Sequence, residues 1–495
     1  MSKYSLLYEH FGRVGRLDEA IEALHWDTAV MMPAGGSSAR AEQMATLEGL
    51  CHGLKTESHL VQWFEQAEQE DLDPWQSANL KEMRRQHLHA TAVPADLVEA
   101  LSRAGSACET RWRTARAADD FKALEPLLTE VVSLVRHKAQ AKSEALGCHP
   151  YEALMDLYEP GASIKRLDAI FGDLAAFLPE FTEAVLERQA NGPGVIMPEG
   201  PFAVELQKAL GLEVMKVLGF DFEHGRLDVS HHPFCAGSPD DVRITTRYST
   251  GDFVQSLMGV IHETGHALYE RGLPAGQWRF QPVAHARGMG MHESQSLLME
   301  MQACRSRHFL SFLAPKVREI FSGQGPAWTT ENLQRLYGKV ERGLIRVDAD
   351  EVTYPAHVIL RYRLEKALLA DELQVVDLPE AWRQGMAELV GVTPENDRDG
   401  CMQDIHWMDG SLGYFPTYTL GAMTAAQLFD AACRQLPQIP EEISKGNFAP
   451  LLGWLGPNVH AVGSSKSTEE ILIDATGQPL NVQIFKDHLQ RRYLP

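Results

Sequence analysis

A chain of 495 residues with 44% hydrophobic content can bury a large core, and its formal net charge of −21, spread without any block of like charge, opposes binding to a phosphate backbone. No run reaches the roughly 18 apolar residues a membrane span needs, which excludes a transmembrane helix. Seven cysteines without a CxxC pair argue against a disulfide framework and predict a reducing, cytoplasmic setting.

In chain order, the N-terminus MSKYSLLYEHFGRVGRLDEA turns charged and helical before a signal-peptide core can form. LDEAIEALHWDTAVMM, ARAEQMATLEGLCHGL and DFKALEPLLTEVVSLVRHKAQAKSEALG then repeat apolar residues three and four apart, the spacing of one helix face. RQANGPGVIMPEGPFAVE closes this array with a Gly and Pro cluster that reads as a long loop, and helical patterning resumes in FAVELQKALGLEVMKVLGF. The texture changes at LDVSHHPFCAGSPDDVRITTRYS, where β-branched residues alternate around a GSPDD turn and predict a small hairpin. Helices flank the hairpin on both sides and no flexible linker is visible. The expected fold class is therefore mostly α with a small sheet, as one unit over 1–495: a helical N-terminal part to about residue 190 and a metal-site part from about residue 200.

The next helix, FVQSLMGVIHETGHALYERG, carries polar groups in an apolar setting. His262 and His266 are four apart and sit on one face, so two imidazole nitrogens can aim at one point. Glu263, displaced by about 100°, lies beside that point, where it can hold a water and act as general base. Two imidazoles, a third ligand and an open position make a catalytic zinc site. Tyr269 and Gly272 stand where a metzincin needs glycine and histidine, so the third ligand must come from elsewhere. In GMGMHESQSLLMEMQ, Gly288 and Gly290 break the chain, and a following helix expected to start near His292 supplies candidates: Glu293, with Glu300 two turns later on the same face as its rival and His292 as an outer group.

Further along, Arg243 in DVRIT and Arg346 in IRVDAD are guanidinium groups suited to a free α-carboxylate. From Arg346 through Asp350, Thr353, Tyr354, His357 and Arg361 a polar stripe recurs at helical spacing between apolar sides, with Pro355 expected to kink the helix. QDIHW adds Gln403, Asp404 and His406 as donors and acceptors for a peptide backbone, and GYFPTY offers Tyr414 and Tyr418 for an oxyanion.

HETGH followed by HESQS resembles the carboxypeptidase Taq family of metallocarboxypeptidases. HPF at 232–234, DVRITT, IRVDADEVTYPAHVILRY and GCMQDIHW follow the family's order, and LHWDTAVMMPAGGSSARAEQMATL and GQPLNVQIFKDHLQRRYL extend the likeness over essentially the whole chain. The resemblance implies a gluzincin-like, mostly helical fold with a deep central groove and a homodimer. It implies release of single residues from peptides with a free C-terminus, and zinc, with cobalt as an alternative. It points to His262, His266 and Glu293 as metal ligands, to Arg243 and Arg346 as holders of the substrate carboxylate, and to Tyr418 as the oxyanion donor. The competing readings are a helical oligopeptidase or dipeptidyl carboxypeptidase sharing the metal site, and a non-catalytic helical protein with a structural histidine pair.

Overall fold

The computed structural model describes every residue from Met1 to Pro495. The predicted helical array is present as the helices Lys3–Val30, Ser37–Lys55, Phe121–Leu146 and Ile164–Asn191, among others. Local chemistry sets their ends: Asp120 accepts from the backbone N–H of Ala123 to start Phe121–Leu146, and Gly147, left-handed at φ 68°, stops it. No helix is long and apolar enough to cross a membrane.

The expected hairpin forms between β2 (Cys235–Ser238) and β3 (Asp241–Thr246), and β1 (Gly225–Val229) joins β3 on its other edge in parallel. Val242 and Ile244 on β3 and Leu227 on β1 pack with Val260 and Ala267 of the helix Val254–Gly272, hereafter the histidine helix. The sheet thus braces the helix that carries HETGH.

Two large apolar cores hold the molecule together. One gathers side chains from residues 104–185 with others from 340–426 and 485–493; the other is built from residues 202–475. The helix Pro416–Gln435 serves both, giving Met423 and Ala426 to the first and Ala425 and Leu428 to the second. A third, small core of 8 buried residues, among them Leu7, Phe11, Leu60 and Phe64, lies under the N-terminal helices.

Two sequence expectations are corrected here. The helix expected to start near His292 begins at Gly288 and runs to Leu297, so Gly290 lies inside it. The amide of Gly290, left without an intrahelical partner in the first turn, donates to Glu159 Oε2 at 3.0 Å, and a Cβ there would meet that oxygen at 2.6 Å, so glycine serves close approach rather than a break. Pro355 does not kink a helix; it sits in the first turn of Tyr354–Leu369, where its missing N–H costs nothing. Arg346 therefore lies outside that helix, in a short 3-10 turn Arg346–Asp348, and the stripe from 346 to 361 is not one helical face.

Candidate metal centre

The histidine helix and the helix Gly288–Leu297, hereafter the glutamate helix, approach at Gly265. A Cβ on Gly265 would lie 2.6 Å from the carbonyl oxygen of Gln295 and 2.6 Å from Ser296 Cα, so only glycine lets the two backbones meet. Gly421 does the same from the helix Pro416–Gln435, where a Cβ would fall 2.8 Å from Glu293 Cβ. Glu293 is thus pressed between two helices and aimed at the third.

His262 Nε2 and His266 Nε2 lie 3.8 and 3.4 Å from Glu293 Oε2. The outer nitrogens are occupied. His266 Nδ1 is 3.1 Å from the carbonyl of His292; a carbonyl only accepts, so Nδ1 carries the hydrogen and Nε2 keeps its lone pair. His262 Nδ1 faces Glu300 Oε2 at 2.9 Å with the same consequence. The one ligand atom offered by each of His262, His266 and Glu293 lies within 4.8 Å of the other two, and the donor set of two imidazoles and a carboxylate suits a divalent transition metal.

Glu300 is therefore brought to the back of His262 and not into the ligand cluster. Its position comes from a wide-turned π segment, Leu298–Cys304, that continues the glutamate helix and breaks the simple two-turn register between Glu293 and Glu300. Arg305, bonded across that segment to Glu300 Oε1, anchors it. His292 stacks on His266 with ring centroids 4.4 Å apart and binds Glu270 through Nε2 at 2.8 Å.

The electrostatics favour a cation. Glu263, Glu293 and Glu300 face only one guanidinium, that of Arg305, so the carboxylates call for further positive charge, from a proton on His262 or a bound cation. Burial opposes charge throughout. Even so, Glu293 is held down to about 2 because His262 and His266 outweigh its burial. Against its own burial, His262 is lifted to about 10 by Glu293 and Glu300, whereas burial and His292 hold His266 down to about 4. The opposite shifts of two rings facing one carboxylate mean that the pocket takes one added proton readily and resists a second. Glu263 is raised to about 7 by burial, with no hydrogen bond fixing its carboxylate.

The other predicted residues fall into two groups. Arg346, Gln403 and Asp404 come together with Arg361 in a buried knot. Arg346 donates from Nε and Nη2 to Asp404 Oδ1 at 3.1 and 2.8 Å and from Nη1 to Tyr354 Oη at 2.7 Å; Arg361 Nε holds Asp404 Oδ2 at 2.7 Å. Gln403 Oε1 accepts from the Arg346 backbone and from Arg361 Nη2, both at 2.8 Å. The Arg346 guanidinium lies 5.0 Å from the Tyr418 ring centroid, and the Tyr418 ring is 5.3 Å from that of Tyr414. The charge of Glu293 is felt at Tyr354, Tyr414 and Tyr418. Burial raises all three, which keeps them protonated donors. His406 packs on Phe415 at 4.6 Å, has no partner at Nδ1, and is lowered to about 4 by burial.

Arg243 is not brought to this knot. It chelates Asp241 on its own strand and stacks at 4.5 Å on Trp26, which meets Arg226 at 5.1 Å. Sequence reasoning also missed Glu365, which accepts from Tyr151 Oη, Trp407 Nε1 and the Gly413 backbone and so fixes the QDIHW and GYFPTY segments together. No local pattern marks it.

A family model described as carboxypeptidase Taq (M32) metallopeptidase matches residues 6–493. Thermostable carboxypeptidase 1 of Thermus thermophilus is 38% identical over 94% of this chain and 94% of its own, and carboxypeptidase 1 of Bacillus subtilis is 34% identical over 97% and 96%. The solved structure of Trypanosoma cruzi metallocarboxypeptidase 1 superposes with a TM-score of 0.98 at 43% identity, covering 100% of this chain and 99% of that one.

Proposed function

This chain belongs to the carboxypeptidase Taq (M32) family of metallopeptidases, and we propose that it hydrolyses the last peptide bond of peptides bearing a free C-terminus, with Glu263 as general base. The observation that carries this reading is the convergence of His262 Nε2, His266 Nε2 and the Glu293 carboxylate beside an unbonded, buried Glu263. These three side chains would hold zinc, with cobalt as an alternative, and the ion would supply Lewis acidity that polarises the scissile carbonyl and acidifies the attacking water.

The chain's own groups do the rest. Glu263, poised near neutrality, takes a proton from the water as its oxygen attacks the carbonyl carbon. It then delivers that proton to the leaving amine nitrogen as the C–N bond breaks. Tyr418, with Tyr414 beside it, donates its phenolic hydrogen to the developing oxyanion. Arg346 anchors the substrate carboxylate: Arg346 and Arg361 face a single Asp404, so the knot keeps a net positive charge. Gln403 and Asp404 orient that guanidinium, and His406 flanks it. Arg243 is the weaker anchor, because a carboxylate would have to displace Asp241 to reach it.

Mass analysis of products from a short synthetic peptide tests the reading: single C-terminal residues should appear, and amidating the C-terminus should abolish turnover. Unchanged cleavage of the amide excludes the anchor, and release of dipeptides moves the cut to the dipeptidyl carboxypeptidase reading. Glu263→Gln should retain the metal and lose about 10²–10⁴-fold in kcat. We also infer one catalytic unit and a homodimer, which light scattering checks.

A further inference from the structure

A second group of metal-ligating side chains lies among the N-terminal helices and takes no part in the site above. His10 sits on the helix Lys3–Val30; Glu57 and His59 sit where the chain passes from Ser37–Lys55 into His59–Ala67. One nitrogen of each ring and a carboxylate oxygen fall within 4.8 Å of one another. His59 Nδ1 is 3.3 Å from Glu57 Oε2, the edge expected for two ligands each about 2.0–2.2 Å from a tetrahedrally bound ion.

One ring is oriented by a backbone carbonyl, as His266 is, but through the opposite nitrogen. His10 Nε2 is 2.8 Å from the carbonyl of Leu54, which only accepts, so Nε2 carries the hydrogen and Nδ1 keeps its lone pair. His59 Nε2 is buried without any partner, so no other group of the chain dictates which nitrogen of that ring is protonated. Two imidazoles with one carboxylate select a borderline-soft cation; calcium and magnesium prefer all-oxygen sites.

We propose that His10, Glu57 and His59 bind a divalent transition-metal ion of the zinc type, separate from the catalytic one. The ion would tie residue 10 to residues 57 and 59 at the edge of the smallest of the three cores described above, which has 8 buried residues. Cross-links matter most where the apolar core is least. The clipped helices also brace the segment joining the histidine and glutamate helices: Gln281 Nε2 donates to the Tyr8 carbonyl at 3.1 Å, and Arg279 pairs with Glu19. Occupancy therefore stiffens a wall next to the catalytic helices without touching substrate.

Equilibrium dialysis against micromolar free zinc, followed by elemental mass spectrometry, tests this. The native chain should hold two zinc ions. His59→Ala, or the milder Glu57→Gln on a half-exposed side chain, should hold one and keep its peptidase activity; His262→Ala should also hold one while losing activity. Trp63, whose ring lies 4.1 Å from that of His59, supplies a local signal. Nickel should quench its emission in the native chain and not in His59→Ala, with Trp63→Phe identifying the emitter. A native chain whose zinc content neither N-terminal variant lowers, or a second zinc bound only at millimolar concentration, would overturn the proposal. A native chain holding one zinc that His59→Ala removes and His262→Ala keeps would count against the catalytic reading and leave this one standing.

Discussion

The His262 cluster and the Arg346 cluster are both buried knots of charge, yet they are assembled in opposite ways. Around Arg346 almost every donor finds an acceptor inside the chain: Asp404 takes both guanidinia, and Gln403 bonds to both arginines and to the carbonyls of Leu344, Asp399 and Gly400. Around His262 the outer nitrogens are satisfied while the inner ones and the Glu293 carboxylate converge on one point. Mutual satisfaction holds the guanidinium of Arg346 in one pose, and convergent ligand atoms build a site for an ion.

The difference can be broken most sharply at Glu293. Glu293→Ala should release the ion and lower kcat/KM by about 10³-fold or more, since it removes a ligand rather than a neighbour. Full metal occupancy by elemental analysis would move the third ligand to Glu300. In the satisfied knot the expected loss is of stability: Asp404→Ala leaves two buried guanidinia without their counter-ion and should cost about 3–5 kcal/mol in denaturant unfolding. A loss below about 1 kcal/mol would show that water reaches the pair.

Glu300→Gln probes the layer behind the metal ligands, where losing the outer carboxylate should weaken metal affinity by about 10–100-fold with the fold intact. Competition with a chelator reads this directly. The smallest effect belongs to a third knot, satisfied like that of Arg346, in which Lys142 Nζ meets His89 Nδ1 and His89 Nε2 meets Asp156, each at 2.8 Å. Burial would raise Asp156, but His89, the Gly161 amide and Arg85 override it and hold the carboxyl down to about 2. A depressed carboxylate stabilises the fold fully above its unfolded value and stops doing so as pH falls through the folded one. The stability gap between the native chain and Asp156→Asn should thus be on the order of 1–2 kcal/mol near neutrality and vanish between about pH 4 and pH 2.

The N-terminal helical array, the hairpin and the HETGH helix were legible because each is written in side-chain periods of 3.6 or 2 and in local caps such as Asp120 and Gly147. The same periodicity misled where the backbone left it. Pro355 reads as a kink until the preceding chain is seen to be a 3-10 turn, and Gly290 reads as a breaker until Glu159 is seen to need its bare amide.

By itself the sequence determined which residues can act chemically: paired imidazoles one helical turn apart, a carboxylate beside them, and the residue types of every later motif. Only the tertiary structure decided which of them meet. Glu293 enters the cluster because Gly265 and Gly421 let three helices close upon it, Glu300 is turned to the outer face by a π segment, and Arg243 is held on the sheet by Asp241 and Trp26. Helical period is a property of neighbours in the chain, whereas convergence depends on how closely separate backbones can pack, and no local spacing encodes that distance.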